Sequence, residues 1–367
     1  MTQACGVTLA LIAVAAPALA QDPVYQQAPQ QNPIRITLEG LARQEWTQDI
    51  LAPDGTMSDT DRWRGRLLPG MEIGGERFLL GVGGDFNYSS DENDEPPPAL
   101  IRDNYRSRDF RLDLAYARIQ PMGWLRLEGG RFPMTLPFTE MIWDRDLRPQ
   151  GLAGGLVFRD LGGLTQLGLT VLGTRGSHVF DDDETELLVG AVEGVFSGSP
   201  ESSLHLTAAY LEFRDLAALE PMIRRQNTRV SGLVQDDYRI VDLVARYSWN
   251  GDPPIQLVAD YCWNTALSES NRGLWLAVVL GSLQHSRLRA DYTYASVDRD
   301  ATVAAYGTDD FFWVTGWKGH RLDLGTRVAP RSSLHAVGQV QRFKDSPLPE
   351  ERDHWVKRLR LEARITF

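Results

Sequence analysis

Trp355 to Phe367, W-V-K-R-L-R-L-E-A-R-I-T-F, is the stretch on which the fold turns. Read with period two, Leu359, Leu361, Ala363, Ile365 and Phe367 share one face. Arg358, Arg360, Glu362, Arg364 and Thr366 share the other. That is a strand with one apolar and one charged side. An ordinary soluble strand is one reading, but three arginines on one face suit an exposed terminal edge poorly. A closed barrel in a bilayer uses both sides. The apolar side meets lipid, the charged side meets a watery lumen, and pairing with the first strand leaves no open edge.

Working back from that strand, the chain repeats one pattern from Ile34 onward. An alternating segment, a short Gly/Pro/Asn turn, a second alternating segment and a longer polar loop follow one another. The expected strands are 34–47, 62–73, 77–89, 109–120, 124–130, 153–160, 164–174, 185–196, 203–213, 238–249, 255–264, 274–280, 285–297, 321–328, 334–343 and 355–367. The pattern predicts an all-β, antiparallel up-and-down transmembrane barrel of sixteen strands, with fourteen or eighteen also fitting. An even number puts both termini on one side. Phe110, Leu112, Leu114 and Tyr116 are expected to face lipid, opposed by Arg111 and Asp113. A β-sandwich would need few charges on its hidden faces, whereas nearly every segment here keeps a polar face. Tyr and Trp recur near strand ends (Trp46, Trp63, Tyr88, Trp124, Tyr210, Trp249, Trp263, Trp355), as interfacial girdles require.

Residues 1–20 read as a secretory signal peptide, apolar from Val7 with Ala18-Leu19-Ala20 before Gln21. Met1–Gly6 carries no Lys or Arg, which fits a true start further upstream. Residues 21–33, rich in Gln and Pro, read as a flexible N-terminal segment ahead of a barrel over 34–367. After residue 20 no run approaches the ~20 apolar residues of a membrane helix. Cys262 alone remains beyond the signal, so no internal disulfide is expected. A net charge of −11 argues against a nucleic-acid partner. The basic residues are nearly all Arg; the lysines are Lys318, Lys344 and Lys357.

The pattern lapses at Gly130–Gly151, G-R-F-P-M-T-L-P-F-T-E-M-I-W-D-R-D-L-R-P-Q-G. This stretch resembles a segment of a porin family of Gram-negative outer-membrane β-barrel channels. There a G-R-F-P-like strand end runs into a W-D-x-D-L-x-P-x-G loop. The matching residues are Gly130, Arg131, Phe132 and Pro133, then Trp143, Asp144, Asp146, Leu147, Pro149 and Gly151. The terminal Phe367 likewise resembles the C-terminal assembly signal of outer-membrane barrels. The resemblance implies a channel for passive diffusion of small hydrophilic solutes or ions, with periplasmic termini and no cofactor. It also implies outer-membrane lipids, lipopolysaccharide and the barrel-assembly machinery as partners, and a homotrimer. It leaves the solute open.

Two constellations would set selectivity. A loop after the fifth strand can fold inward, which puts Glu140, Asp144, Arg145, Asp146 and Arg148 at a constriction beside Trp143, or it can pack on the outer rim. Charged rings and pore width are what select ions in channels. The lumen wall is expected to carry Arg64, Arg66, Asp85, Arg111, Asp113, Arg126, Glu128, Arg239, Arg287, Arg289, Asp291, Arg358 and Arg360. These either pair with one another or form a basic track for anions; a dry interior would not tolerate so many charges. The acidic runs Asp91–Glu95 and Asp181–Glu184 either hold divalent cations beside lipopolysaccharide or are solvated; neither has EF-hand spacing. No H-E-x-x-H or G-x-S-x-G is present, so enzyme activity is not expected. The rival readings are a substrate-specific channel for an anion or sugar and a structural, adhesin-like barrel with an occluded lumen.

Overall fold

In a computed structural model the described residues are 33–51, 57–90, 109–176, 185–219, 227–235, 238–284, 286–308, 310–344 and 354–367. The expected signal peptide, nearly all of the tether, and both acidic runs lie outside them. The strands are β1 (Ile34–Leu51), β2 (Met57–Gly74), β3 (Phe78–Ser89), β4 (Asp109–Met122), β5 (Leu125–Arg131), β6 (Gln150–Leu161), β7 (Leu164–Arg175), β8 (Glu186–Ser199) and β9 (Ser202–Arg214). They continue as β10 (Arg229–Val230), β11 (Leu233–Val234), β12 (Tyr238–Trp249), β13 (Ile255–Asn264), β14 (Arg272–Gly281), β15 (Leu288–Val297), β16 (Trp317–Ala329), β17 (Ser332–Phe343) and β18 (Trp355–Thr366). β10 and β11 form a small hairpin in the β9–β12 connection. The other sixteen close one antiparallel barrel, each paired with its chain neighbour and β1 with β18.

The seam is continuous. Ala42 lies opposite Ala363, and Leu38 and Phe367 exchange two backbone hydrogen bonds of 3.2 and 2.9 Å. Both ends of the barrel chain therefore stand at one mouth, where the links between strands are short. The β6–β7 turn is Gly162-Gly163, with φ of +59° and +100°. Two successive positive φ values suit a tight hairpin whose twist matches its strands. At the opposite mouth the links are long. β1 and β2 run further there than expected, because Thr47, Ile50 and Leu51 still pair with Thr60, Ser58 and Met57.

The outer surface is apolar, with Leu67, Val82, Leu152, Val171, Leu243, Leu276, Leu324 and Leu361 exposed on their strands. In two places the inner surface departs from the expectation. First, β4 carries a bulge. Gly83 pairs with Leu114 but Gly84 with Leu112, so Asp113 is an extra residue. One extra residue reverses the alternation beyond it. Leu114 and Tyr116 therefore face the lumen rather than lipid, and the Tyr116 hydroxyl donates to Glu72 (2.6 Å). The Tyr116 ring lies over Gly81, where a Cβ would stand 2.1 Å from it. Second, the inner faces of β8 and β9 near the long-loop mouth are apolar: Leu187, Val189, Ala209, Leu211 and Phe213 are all buried. They are covered by chain that enters the barrel. Arg239 is also corrected: Tyr238, Ile240 and Asp242 point inward, and Arg239 is exposed between them.

A candidate functional site of two inward loops

The β5–β6 loop, 132–149, turns inward. Pro133 and Pro137 lack the N–H a strand needs, so the ladder stops there. Phe132 N–H donates to the Pro149 carbonyl (3.1 Å), which closes the neck of the loop. Asp144 accepts from the Asp146 backbone N–H (2.9 Å), an Asx turn that bends the tip. Across the lumen, the Thr139 hydroxyl donates to Asp260 on β13. Arg246 on β12 donates to the Phe138 carbonyl (3.1 Å). Trp143 does not anchor an outer rim. It is buried inside, with Nε1 donating to the Leu147 carbonyl (3.2 Å) and its ring 5.2 Å from that of Tyr306.

Tyr306 belongs to a second inward loop, 298–316, between β15 and β16. Its Ala301, Val303, Ala304, Phe311, Phe312 and Trp313 are buried, an apolar content that a solvated loop does not need. Asp300 fixes its near end, accepting from Thr228 N–H (2.8 Å), Thr228 Oγ1 (2.6 Å) and the Tyr238 hydroxyl (2.5 Å). Gln341 of β17 fixes the far end, its Oε1 accepting from Phe312 N–H (2.6 Å). Phe311 packs on Trp317 at 4.5 Å and meets Trp275 edge-on at 5.6 Å. The two loops join through backbone bonds from Asp144 N–H to the Tyr306 carbonyl (2.7 Å) and from Thr308 N–H to the Glu140 carbonyl (2.9 Å). Such bonds hold only where both partners are fixed in place, so the pair forms one shelf across the lumen.

Charges converge on that shelf. The wall from β18 through β4 is basic: Arg358 and Arg360 on β18, Arg43 on β1, Arg64 (opposite Arg43) and Arg66 on β2, and Arg111 on β4. Asp310 of the second loop pairs with Arg360 (2.7 Å) and Arg43 (3.2 Å), and its carbonyl accepts from Arg358 (3.4 Å). Both arginines also reach Glu362, at 3.1 and 2.8 Å. From the first loop, Asp146 pairs with Arg66 (2.5 Å), which also bonds Asp85 through two nitrogens (3.0 and 2.8 Å). Arg148 pairs with Asp113 (3.0 Å), and Glu140 with Arg145 and with Arg321 (2.7 Å). Burial works against the Asp310 anion, but Arg360, Arg43 and Arg145 outweigh it and hold the carboxyl well below its usual range. Arg145 and Asp146 keep 50% and 22% of their side-chain surface exposed, and Asp310 keeps 21%, so all three meet the water of the lumen.

Glu140, Asp144, Arg145, Asp146 and Arg148 are thus brought together, as are Arg64, Arg66, Asp85, Arg111, Asp113, Arg358 and Arg360 on the facing wall. Arg126 and Glu128 pair with each other (2.7 Å) on β5, and Arg289 with Asp291 (3.1 Å) on β15, away from the loops. Arg287 stands exposed in the turn before β15 rather than on a strand. Sequence reasoning missed Arg321 and, above all, Asp310. Its signal was the neighbouring Phe311-Phe312-Trp313, too apolar for a loop left in water.

A closed antiparallel barrel with an apolar exterior and a charged lumen crossed by loops defines a transmembrane channel-like barrel. No protein-family model matches the chain, and no curated protein matches it. Solved structures do. OprB of Pseudomonas putida aligns over 91% of this chain and 94% of its own at 10% identity, with a TM-score of 0.58. OmpF of Salmonella typhi, in complex with daunomycin, aligns over 91% and 97% at 12% identity and a TM-score of 0.51. A triple mutant of the Rhodopseudomonas blastica porin aligns over 91% and 100% at 13% identity and a TM-score of 0.50. The fold of the chain is that of the porins.

Proposed function

We propose that the protein is an outer-membrane porin of a Gram-negative cell, passing small hydrophilic solutes or ions by diffusion. It has no enzymatic role in this reading. The two-loop shelf carries it: charged side chains of both signs stand partly exposed where the loops cross a closed barrel. Oppositely charged groups across a narrow path orient polar solutes, and an excess of one sign selects ions. The arginine arc from β18 to β4 favours anions, with the carboxylates of the same wall and of the loops as its counterweight. The termini are taken as periplasmic, since they share the mouth with the short turns. A homotrimer is the expected assembly. The buried apolar packing between the loops favours a second reading, a narrow channel specific for an anionic or sugar substrate.

Reconstitution of purified protein in planar bilayers tests this. Stepwise conductance with a reversal potential of anionic sign supports the porin. Silence from correctly folded protein would overturn it in favour of an occluded barrel. Saturation of the current by one sugar or anion, absent for others, would select the second reading.

A further inference from the structure

Toward the short-turn mouth, on the lumen side of β16 and β17, three side chains form a chain of hydrogen bonds that the shelf does not use. Ser333 Oγ lies 2.9 Å from His335 Nε2, and His335 Nδ1 lies 2.7 Å from Asp323 Oδ1. Ser333 and His335 are two apart on β17 and so share its inner face. Asp323 stands on β16 opposite Val337, diagonal to His335. Gly325 is directly opposite His335, and a Cβ there would lie 2.7 Å from the imidazole Cε1. The absent side chain is what lets the ring lie across β16 and reach the acid.

The acid fixes the tautomer of the base. A carboxylate only accepts, so the His335 proton sits on Nδ1 and Nε2 is left to accept from the Ser333 hydroxyl. His335 keeps 3% of its side-chain surface exposed and Asp323 19%, while Ser333 is half-buried at the lumen. A cation completes the group. Arg364 on β18 lies opposite Ser333, and its Nη2 bonds both Glu362 (2.5 Å) and Asp323 Oδ2 (3.4 Å). Its guanidinium therefore spans β17 beside the Ser333–His335 pair. With 33% of its side-chain surface exposed, it can meet a negative charge that develops next to Ser333.

We propose that Ser333, His335 and Asp323 form a hydrolytic site for small water-soluble carboxylic esters entering from the short-turn mouth. Ser333 Oγ attacks the ester carbonyl carbon and passes its proton to His335 Nε2. The bond to the alcohol oxygen breaks, and the imidazolium protonates the leaving alkoxide. Water then attacks the acyl-serine, giving its proton to the same nitrogen, and Ser333 recovers that proton as the acid departs. One ester and one water yield one acid and one alcohol, with no further reactant. Arg364 faces the oxyanion of each tetrahedral intermediate, and Asp323 is a positioning residue that holds the tautomer. No contiguous motif announces the site, because the acid comes from the neighbouring strand. The inference goes beyond the porin reading: it needs water and solute at this wall, and whether the shelf conducts does not bear on it.

The test is labelling of the folded full-length protein in detergent with an alkyl fluorophosphonate, followed by peptide mapping. The probe takes an activated serine hydroxyl and loses fluoride, so an adduct is expected on Ser333. Ser248 is the internal control, a lumen-side hydroxyl on β12 bonded to Gln256 (3.4 Å) rather than to an imidazole. Ser333→Ala should abolish both labelling and the hydrolysis of p-nitrophenyl acetate, with folding checked by heat-modifiable gel mobility. His335→Ala and Asp323→Asn should slow both by about 100-fold, and Asp323→Glu should recover most of the loss seen in Asp323→Asn. An unlabelled Ser333, equal labelling of Ser248, or a rate unchanged by His335→Ala would overturn the site. Should the variants fail to fold, the comparison of Ser333 with Ser248 in the wild type decides alone.

Discussion

At the scale of single residues the two-loop shelf depends on Asp310. Its carboxylate answers Arg43 and Arg360, and Glu362 remains to both when it is lost. Asp310→Asn should therefore leave the barrel folded but shift the chloride-to-potassium permeability ratio toward chloride by roughly two- to fivefold, equivalent to ~0.5–1 kcal/mol. Reversal potentials under a salt gradient measure it. The pH dependence follows from the sign of the shift. The folded-state value lies well below the ordinary 3.8, so the ion pairs are fully present above 3.8 and are lost only as pH falls through the depressed value. The difference between wild type and Asp310→Asn should hence persist at pH 4. A second residue-scale prediction concerns Gly81, where a Cβ would meet the Tyr116 ring at 2.1 Å. Gly81→Ala should destabilise the barrel by ~1–3 kcal/mol in urea unfolding from lipid vesicles. Tyr116→Ala on the same background should recover most of that, whereas a mere loss of backbone freedom would not be recovered.

At the scale of elements, the first inward loop is held across the lumen by Thr139 on Asp260 and Arg246 on the Phe138 carbonyl, side-chain bonds outside the strand ladder. Thr139→Val removes the donor from a buried carboxylate, a local cost of ~1–3 kcal/mol. Single-channel traces should become noisier, with more frequent partial closures, while the thermal transition of the barrel stays within a few degrees of wild type. The sixteen barrel strands were readable, because each carries the lipid face in its own residues, whereas the two-residue strands β10 and β11 are too short to alternate. The bulge at Asp113 was not readable: an insertion of one residue leaves a run such as F-R-L-D-L-A-Y looking regularly alternating. The apolar inner faces of β8 and β9 were hidden for another reason. Their partner is a loop about a hundred residues later, and period two says nothing about what fills a lumen.

At the scale of the whole molecule, the seam between β1 and β18 converts a sheet into a barrel. Phe367 contributes there through its backbone bonds to Leu38, with the ring under the Arg331 guanidinium at 5.4 Å. Phe367→Ala keeps the backbone bonds and should refold in vitro with near wild-type yield. If the side chain is an assembly signal, the same variant should accumulate poorly in the outer membrane of cells. Deleting the residue should lower yield in both settings, read as the heat-modifiable fraction on gels. The candidate site was legible only in its first half. Trp143 and the charges of Gly130–Gly151 marked one loop, inward or on the outer rim, but its direction, the partner loop and the basic arc are fixed only through closure.

The shelf also sets an order of events. Asp310 and Arg43 are 267 positions apart, and Arg321 and Glu140 are 181 apart. Contacts so distant along the chain form late, after the nearer hairpins. The first loop can reach Arg66 and Asp113 early, but it lacks its contacts across the lumen until β12 and β13 arrive, and Asp310 lacks Arg360 until β18 is in place. In a barrel still being built the shelf is consequently unfinished, and the last strand completes it as well as sealing the wall. An arrested assembly intermediate should leak solutes that the mature protein excludes.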